Sequence, residues 1–450
     1  MHLLACQTAA LLVVQIIALA AATVAEAGSS SCTLDPPSSY GHFGLSVKVL
    51  RPKQVIFGFN ETLGAGAGYV TAFSNGDLQT TIRFGPHPPY KSPNYTSRAK
   101  RSSTGGRSWN LQPWKAANNR SVTEFGQNAF QLASGEVISF TGFDGHGLCS
   151  SNSSFVPVPD PQRPGFSVTK VQLARSTDAG KTVSTIEVVD IVMPSDMNIG
   201  ALSHASIVAV EQGKRLVALA YGNSQPMDGL RTRAFVLRSK DFRGSGAWEF
   251  LATVAFTPEG TVNPRPKCAR DPASRYTEAP CGESCVAEPW LPHCPPMHYS
   301  GFNEGTLVMT AEDAKTGLNT LVCIMRTGGA LYRAISVDSG VSWAAPDPIS
   351  RYGVAPQAIV IDTPQNKAAD GILALVYGRP FNFITFSLDG GISFLPEWCF
   401  FKSEAQPYDG SDYDTIVQVP NSTTVLLVYG NSRSSYSSEV LGTYISIERT

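Results

Sequence analysis

Ser336-Val337-Asp338-Ser339-Gly340-Val341-Ser342-Trp343 is the stretch that decides the fold, because the chain repeats it. Ser387-Leu388-Asp389-Gly390-Gly391-Ile392-Ser393-Phe394 is a second copy. Ser176-Thr177-Asp178-Ala179-Gly180-Lys181-Thr182-Val183 keeps the turn and ends on Val. Ser102-Ser103-Thr104-Gly105-Gly106-Arg107-Ser108-Trp109 has Thr where the others have Asp, and Ser239-Lys240-Asp241 reaches its aromatic, Trp248, two residues late. The shared pattern, Ser-x-Asp-x-Gly-x-x-aromatic, is a hairpin lock. Ser and Asp oxygens accept from turn N–H groups, Gly supplies positive φ, and the aromatic buries a large apolar area under the sheet. A unit repeated at intervals of tens of residues announces an array of similar supersecondary elements. The copies start at Ser102, Ser176, Ser239, Ser336 and Ser387, at intervals of 74, 63, 97 and 51 residues. Each interval suits one four-stranded propeller blade, the longest with room for an insertion. The locks are expected to hold turns and to touch no substrate.

Between the locks the chain reads as strands. Residues 136–140, 215–221, 306–310, 319–325, 357–361, 371–377, 415–419 and 425–429 are short runs rich in Val, Ile, Leu and aromatics, bounded by Gly, Asp, Asn or Pro. No long amphipathic helical period stands out. Residues 415–419 and 425–429, with Pro420-Asn421 between them, read as a meander hairpin. Residues 263–298 break the pattern with many Pro and Cys and little alternation, and read as an insertion between the third and fourth locks.

The 450 residues suffice for one large closed all-β domain, and a net charge of −1 gives no electrostatic case for nucleic acid or an anionic membrane. No Gly-rich phosphate loop and no helical zinc signature occurs. Residues 8–25 carry no charge, and Ala25-Glu26-Ala27 follows with a small-x-small pattern. Residues 1–27 therefore read as a secretory signal peptide, leaving 28–450 as the domain; an uncleaved signal anchor is the alternative. No other stretch is suited to span a bilayer. Sequons at Asn60, Asn94, Asn119, Asn152 and Asn421 agree with a secreted glycoprotein. Cys6 lies in the signal; Cys32, Cys149, Cys268, Cys281, Cys285, Cys294, Cys323 and Cys399 remain. An even count in an oxidising compartment implies disulfides, with 105 connectivities open to eight cysteines. Cys268, Cys281, Cys285 and Cys294, near His293 and His298, read as two disulfides pinning a long loop, with a zinc knot as the other reading.

From about residue 303 to 433 the chain contains FNEGTLVMTAED, LVCIMRTGGALYRAISVDSGVSW, ILALVYGRPFNFITFSLDGGISF and SDYDTIVQVPNSTTVLLVYGNSR, in that order. Together with the locks, this order resembles the sialidase (neuraminidase) superfamily and its Asp-box, or BNR, repeat. The resemblance implies an all-β, six-bladed β-propeller of four-stranded antiparallel blades with Asp-box turns. It implies a glycan partner bearing sialic acid or another acidic sugar, a monomer, and no cofactor or metal. Carried over by residue, Glu304 matches the activating Glu. Arg326 and Arg379 match two of the three arginines that grip the sugar carboxylate. Tyr413 matches the nucleophile, with Tyr408 as a second candidate. The chemistry accounts for these residue types. A carboxylate nucleophile would meet the substrate's own carboxylate with like charge, so a Tyr oxygen paired with a Glu base serves instead. Arg binds a carboxylate through two parallel hydrogen bonds, which Lys cannot reproduce.

The N-terminal half departs from that pattern. The Gly76-Asp77-Leu78 turn is present, but residues 63–68 before it hold no arginine; Arg51 and Arg83 are the nearest. Between Asp77 and Glu124 there is no Asp or Glu, so the acid that protonates the leaving oxygen is missing from its family position. His87 is the candidate replacement, able to act at mildly low pH, with Asp144 and His146 as further candidates. Three functions stand at this point: a secreted exo-glycosidase, a glycan-binding propeller that has lost its acid, and a His/Tyr lyase on uronic acid polymers. An unsaturated, ultraviolet-absorbing product would mark the lyase.

Overall fold

The computed structural model describes residues 32–58, 69–84, 96–112, 129–141, 158–197, 199–223, 232–256, 301–327, 329–350, 353–362, 371–378, 381–402, 413–434 and 437–450. The signal segment, the 263–298 insertion, the sequons other than Asn421, and Cys149 lie outside them. Strand is the main regular structure of the described residues, joined by turns and loops and accompanied by one short 3-10 helix at Ser38–Phe43.

The strands form meanders. Tyr69–Ala72, Leu78–Phe84, Thr96–Ser102 and Asn110–Gln112 make one four-stranded antiparallel sheet. Gly305–Glu312, Asn319–Arg326, Leu331–Ser336 and Asp347–Pro348 make another. Val354–Ile361, Ile372–Gly378, Asn382–Ser387 and Trp398–Phe401 make a third. A fourth joins the two ends of the domain, because Thr415–Gln418, Thr424–Ser434 and Ser437–Arg449 are completed by Leu45–Phe57. The remaining sheet has nine strands. In it the meander Ala201–Val210, Arg215–Asn223, Thr232–Ser239, Ala247–Ala255 meets Thr185–Pro194 and Phe166–Ser176 through parallel pairing of Asp190–Val192 with Ala247–Glu249.

The first strands of successive sheets lie side by side: Ala201–Val210 by Gly305–Glu312, then Val354–Ile361, Thr415–Gln418 and Tyr69–Ala72. The core is divided into wedges between sheets. Val322 and Ile324 meet Leu373 and Tyr377 in one wedge; Val376 and Phe386 meet Leu427 and Ile445 in the next. A strand held between two wedges is buried on both faces, which is why Ile372–Gly378 is apolar throughout rather than alternating.

The repeated segments fold as locks. The Ser336 hydroxyl accepts from Gly340 N at 2.9 Å, Asp338 Oδ1 accepts from Ser342 N at 2.9 Å, and Trp343 Nε1 donates to the Gly340 carbonyl at 3.0 Å. Gly340 has φ 90°, where a side chain would be strained. In the first copy Thr104 Oγ1 replaces the carboxylate and accepts from Ser108 N at 3.0 Å. In the stretched copy Asp241 Oδ1 takes Arg243 N and Ser245 N, and fully buried Trp248 donates to the Gly244 carbonyl at 2.9 Å.

Arginines from outside the hairpin latch four of the five locks, those at Ser102, Ser176, Ser239 and Ser387. Arg101 donates to the Ala179 carbonyl at 2.8 Å, Arg175 to the Arg243 carbonyl at 3.0 Å, and Arg333 to the Gly391 carbonyl at 2.6 Å. Arg51, one of the two nearest arginines to the empty clamp position, is committed to this role. Its guanidinium lies 3.8 Å from the Tyr444 ring centroid and donates to the Gly105 carbonyl at 3.1 Å.

Cys32 is bonded to Cys399, tying the segment before the first strand to Trp398–Phe401. The expectation that all eight cysteines pair fails at Cys323. It sits fully buried on Asn319–Arg326 as a free thiol, where burial pushes its pKa up.

Candidate functional site

Glu304 and Arg326 meet because their strands pair. The ladder Gly305↔Met325 continues one step further, with Arg326 N donating to the Glu304 carbonyl at 2.8 Å and Asn303 N to the Arg326 carbonyl at 2.9 Å. Cross-strand neighbours at that step place guanidinium beside carboxylate, and Arg326 Nη1 donates to Glu304 Oε2. Both side chains keep some exposure, 22% for Arg326 and 18% for Glu304. Gly305 follows directly. A Cβ there would lie 2.6 Å from the Ile324 carbonyl, so only glycine allows the close approach.

Tyr413 arrives from the neighbouring region, just before Thr415–Gln418, and its hydroxyl donates to the other Glu304 oxygen, Oε1, at 2.5 Å. Glu304 thus accepts from the phenol on one oxygen and from the guanidinium on the other. Burial holds the Tyr413 pKa well above its ordinary value, the Glu304 charge pushes the same way, and Arg326 opposes them. The resting group is a neutral phenol whose proton points at a carboxylate, an arrangement able to pass that proton to Glu304.

Side-chain-to-backbone bonds stitch the strands that carry these groups. Gly305 N donates to Ser203 Oγ at 3.3 Å, Ala358 N to Thr306 Oγ1 at 3.1 Å, and Ile416 N to Gln357 Oε1 at 2.9 Å. Asp414 is 2% exposed, and its Oδ1 accepts from buried Asn382 Nδ2 at 2.5 Å, which anchors the backbone beside Tyr413. A pocket opens over the assembly, lined by Tyr69, Glu304, Ala355, Gln357, Tyr413 and Asp414 among others. The Tyr69 ring lies 6.4 Å from that of Tyr413, tilted by 57°.

Glu304, Arg326 and Tyr413, predicted from sequence, are therefore in one place. Arg379, His87, Tyr408, Asp144 and His146 lie outside the described residues. Asp77, which opens the stretch without acids, is occupied: Arg101 Nη2 pairs with its Oδ2 at 2.6 Å, and Arg101 Nε donates to the same oxygen at 2.9 Å. Sequence reasoning missed Tyr69, Gln357 and Asp414. Tyr69 starts the strand before the Gly76-Asp77 turn and Asp414 adjoins Tyr413, so position was a usable signal for both; Gln357 had none.

No family model matches the chain, and no curated protein matches it in sequence. Its fold does match solved structures. A protein of unknown function from Dyadobacter fermentans superposes with a TM-score of 0.57 at 17% identity, covering 89% of this chain and 99% of that one. The NanB sialidase of Streptococcus pneumoniae superposes with a TM-score of 0.55 at 13% identity, covering 88% of this chain and 70% of that one. The chain shares the β-propeller fold found in that sialidase.

Proposed function

We propose that the chain is a secreted glycoside hydrolase of the exo-α-sialidase type, removing a terminal sialic acid or related acidic sugar from glycans. The observation that carries this reading is the Tyr413–Glu304–Arg326 contact at the pocket. Tyr413 Oη attacks the anomeric carbon as its proton passes to Glu304, and the glycosidic bond breaks. The leaving oxygen takes a proton from an acid, for which His87 is the candidate. Water then releases the sugar from the tyrosyl intermediate with net retention. Arg326 and Arg379 hold the substrate carboxylate. The nine-stranded sheet counts as two blades in this reading, which makes six. The Cys32–Cys399 bond supports an oxidising compartment, and among the described residues no helix is long and apolar enough to cross a membrane. The protein acts as a monomer and requires no cofactor.

A second reading, a glycan-binding propeller without turnover, is favoured by one observation. No acid lies between Asp77 and Glu124 in the sequence, and Asp77 is already held by Arg101. Incubation with a fluorogenic α-sialoside from mildly acidic to neutral pH separates the two. Hydrolysis by the wild type that Tyr413→Phe abolishes while still binding sialic acid is the expected result. Equal hydrolysis by both removes Tyr413 as nucleophile, and binding without hydrolysis by the wild type selects the second reading.

A further inference from the structure

We propose that Gln357 is a substrate-binding residue of this pocket, donating from its amide nitrogen to an acceptor oxygen of the bound sugar. The proposal rests on the glycosidase reading of the site. The strand Val354–Ile361 does not pair regularly with Ile372–Gly378. Its register breaks between Val354 and Gln357, a bulge in which Ala355 and Pro356 stand opposite the single residue Tyr377. Ala355 sits at φ 45°, a backbone conformation that an alanine adopts only under tertiary constraint. Pro356 brings no N–H, so the bulge leaves no donor of its own at that position. An inserted residue in a strand re-aims the side chain that follows, and such bulges concentrate beside active sites. Here the side chain that follows is Gln357, and Ala355, Pro356 and Gln357 all line the pocket with Glu304 and Tyr413.

The two ends of the Gln357 amide have different fates. Ile416 N–H needs an acceptor, so the end 2.9 Å away is Oε1 and the amide orientation is settled. The other end, Nε2, has no acceptor among the described residues, although the residue is only 6% exposed. Holding Ile416 requires nothing more than an oxygen. Thr306 does the equivalent work for Ala358 with a hydroxyl. The amide NH2 is superfluous to the stitch and, unlike the fully enclosed polar atoms of the core, keeps access to the pocket, which points to a bound ligand as its partner. The ligand group must accept: a carboxylate, carbonyl or hydroxyl oxygen.

The test compares wild type, Gln357→Glu and Gln357→Met on methylumbelliferyl α-N-acetylneuraminide, β-D-glucuronide and α-L-arabinofuranoside, with direct binding of each free sugar. Gln357→Glu keeps an oxygen for Ile416 N–H but replaces the donor by a second acceptor; Gln357→Met removes both functions at similar volume. On the glycoside that the wild type hydrolyses, KM should rise about tenfold in Gln357→Met, the effect of one lost hydrogen bond, with kcat within about twofold. In Gln357→Glu the rise should be at least as large with an unchanged melting temperature. It should be far larger on an acidic sugar than on the arabinoside if the accepted oxygen is a carboxylate, and similar on both if it is neutral. Unchanged KM in both variants overturns the proposal and leaves the glycosidase reading intact, as does loss of folding in both, which would make Gln357 a strand stitch alone. A wild type that neither hydrolyses nor binds any of the three overturns the glycosidase reading and this proposal with it.

Discussion

Glu304 is the residue on which the site turns, because its two oxygens serve two partners of different chemistry. Oε1 takes the Tyr413 hydroxyl at 2.5 Å, and Oε2 takes the Arg326 guanidinium. The carboxylate disfavours ionisation of Tyr413 at rest, and in the proposed glycosidase reading it is the group that receives the phenol proton during attack. Replacing Glu304 by Gln keeps the shape and removes the charge. Arg326 then faces an amide instead of its counter-ion, and the Tyr413 hydroxyl loses its carboxylate acceptor. If the site is a glycosidase, Glu304→Gln should lower kcat by roughly 10²–10⁴ with a smaller change in KM. Steady-state kinetics of purified protein measures the split, and a kcat within twofold of wild type would remove Glu304 as the base.

The lock is the unit at the scale of the element. Burial alone would raise the pKa values of Asp178, Asp338 and Asp389, but hydrogen bonds from Thr182, Ser342 and Ser393 and from backbone N–H groups outweigh it and hold all three below the ordinary range. A carboxyl whose folded-state pKa is lowered contributes stability above its unfolded value, about 3.9. That contribution disappears as pH falls through the folded value. Asp338→Asn should therefore cost about 1 kcal/mol at neutral pH, the carboxylate being partly exposed, and the gap from wild type should narrow below about pH 3. Denaturant midpoints at the two pH values test this; a gap that widens in acid would contradict it. The Thr104 copy has no carboxyl and should be indifferent to acid. Four of the five locks are also anchor points for an arginine from outside their own hairpin. Arg175 is the most enclosed of these, at 4% exposure, between Glu136, Glu187 and the Arg243 carbonyl.

At the scale of the molecule the decisive feature is closure. Ser437–Arg449 is an interior strand of the last sheet, with Thr424–Ser434 on one side and Leu45–Phe57 on the other, in a register running from Leu45↔Arg449 to Phe57↔Val440. Removing residues 437–450 would strip the partner from a strand of 13 residues and open the wedge where Leu426, Val428 and Tyr444 meet Val70 and Ile82. A long unpaired strand is a template for association. The truncated chain is expected to emerge as aggregates and the full chain as monomer in size-exclusion chromatography; a monomeric, cooperatively unfolding truncation would show that the closing strand is dispensable. Closure also positions the site, since Glu304 and Tyr413 are 109 residues apart and share a pocket only when successive first strands lie side by side.

Local chemistry was readable in advance. Each lock is made within eight to ten residues, so Ser, Asp, Gly and the aromatic declare their turn without knowledge of the rest of the chain. The strand runs were visible for the same reason, and their ends shift in the structure, slightly in Asn319–Arg326 and Gly305–Glu312 and by several residues in Thr424–Ser434 and Val354–Ile361. The order Glu304, Arg326, Tyr413 along the chain also pointed to partners that the fold brings together. What the sequence by itself determined is thus the β class, the repeating lock and the identity of Glu304, Tyr413 and Arg326, the first two lining the pocket and the third bound to Glu304. The tertiary structure alone decided the bulge that turns Gln357 into the pocket, the pairing of Cys32 with Cys399 but not Cys323, and the placing of Tyr69 against Tyr413. The physical reason is range. A turn is closed by hydrogen bonds between near neighbours, whereas these contacts join residues tens to hundreds of positions apart, whose meeting depends on sheet packing around the whole ring.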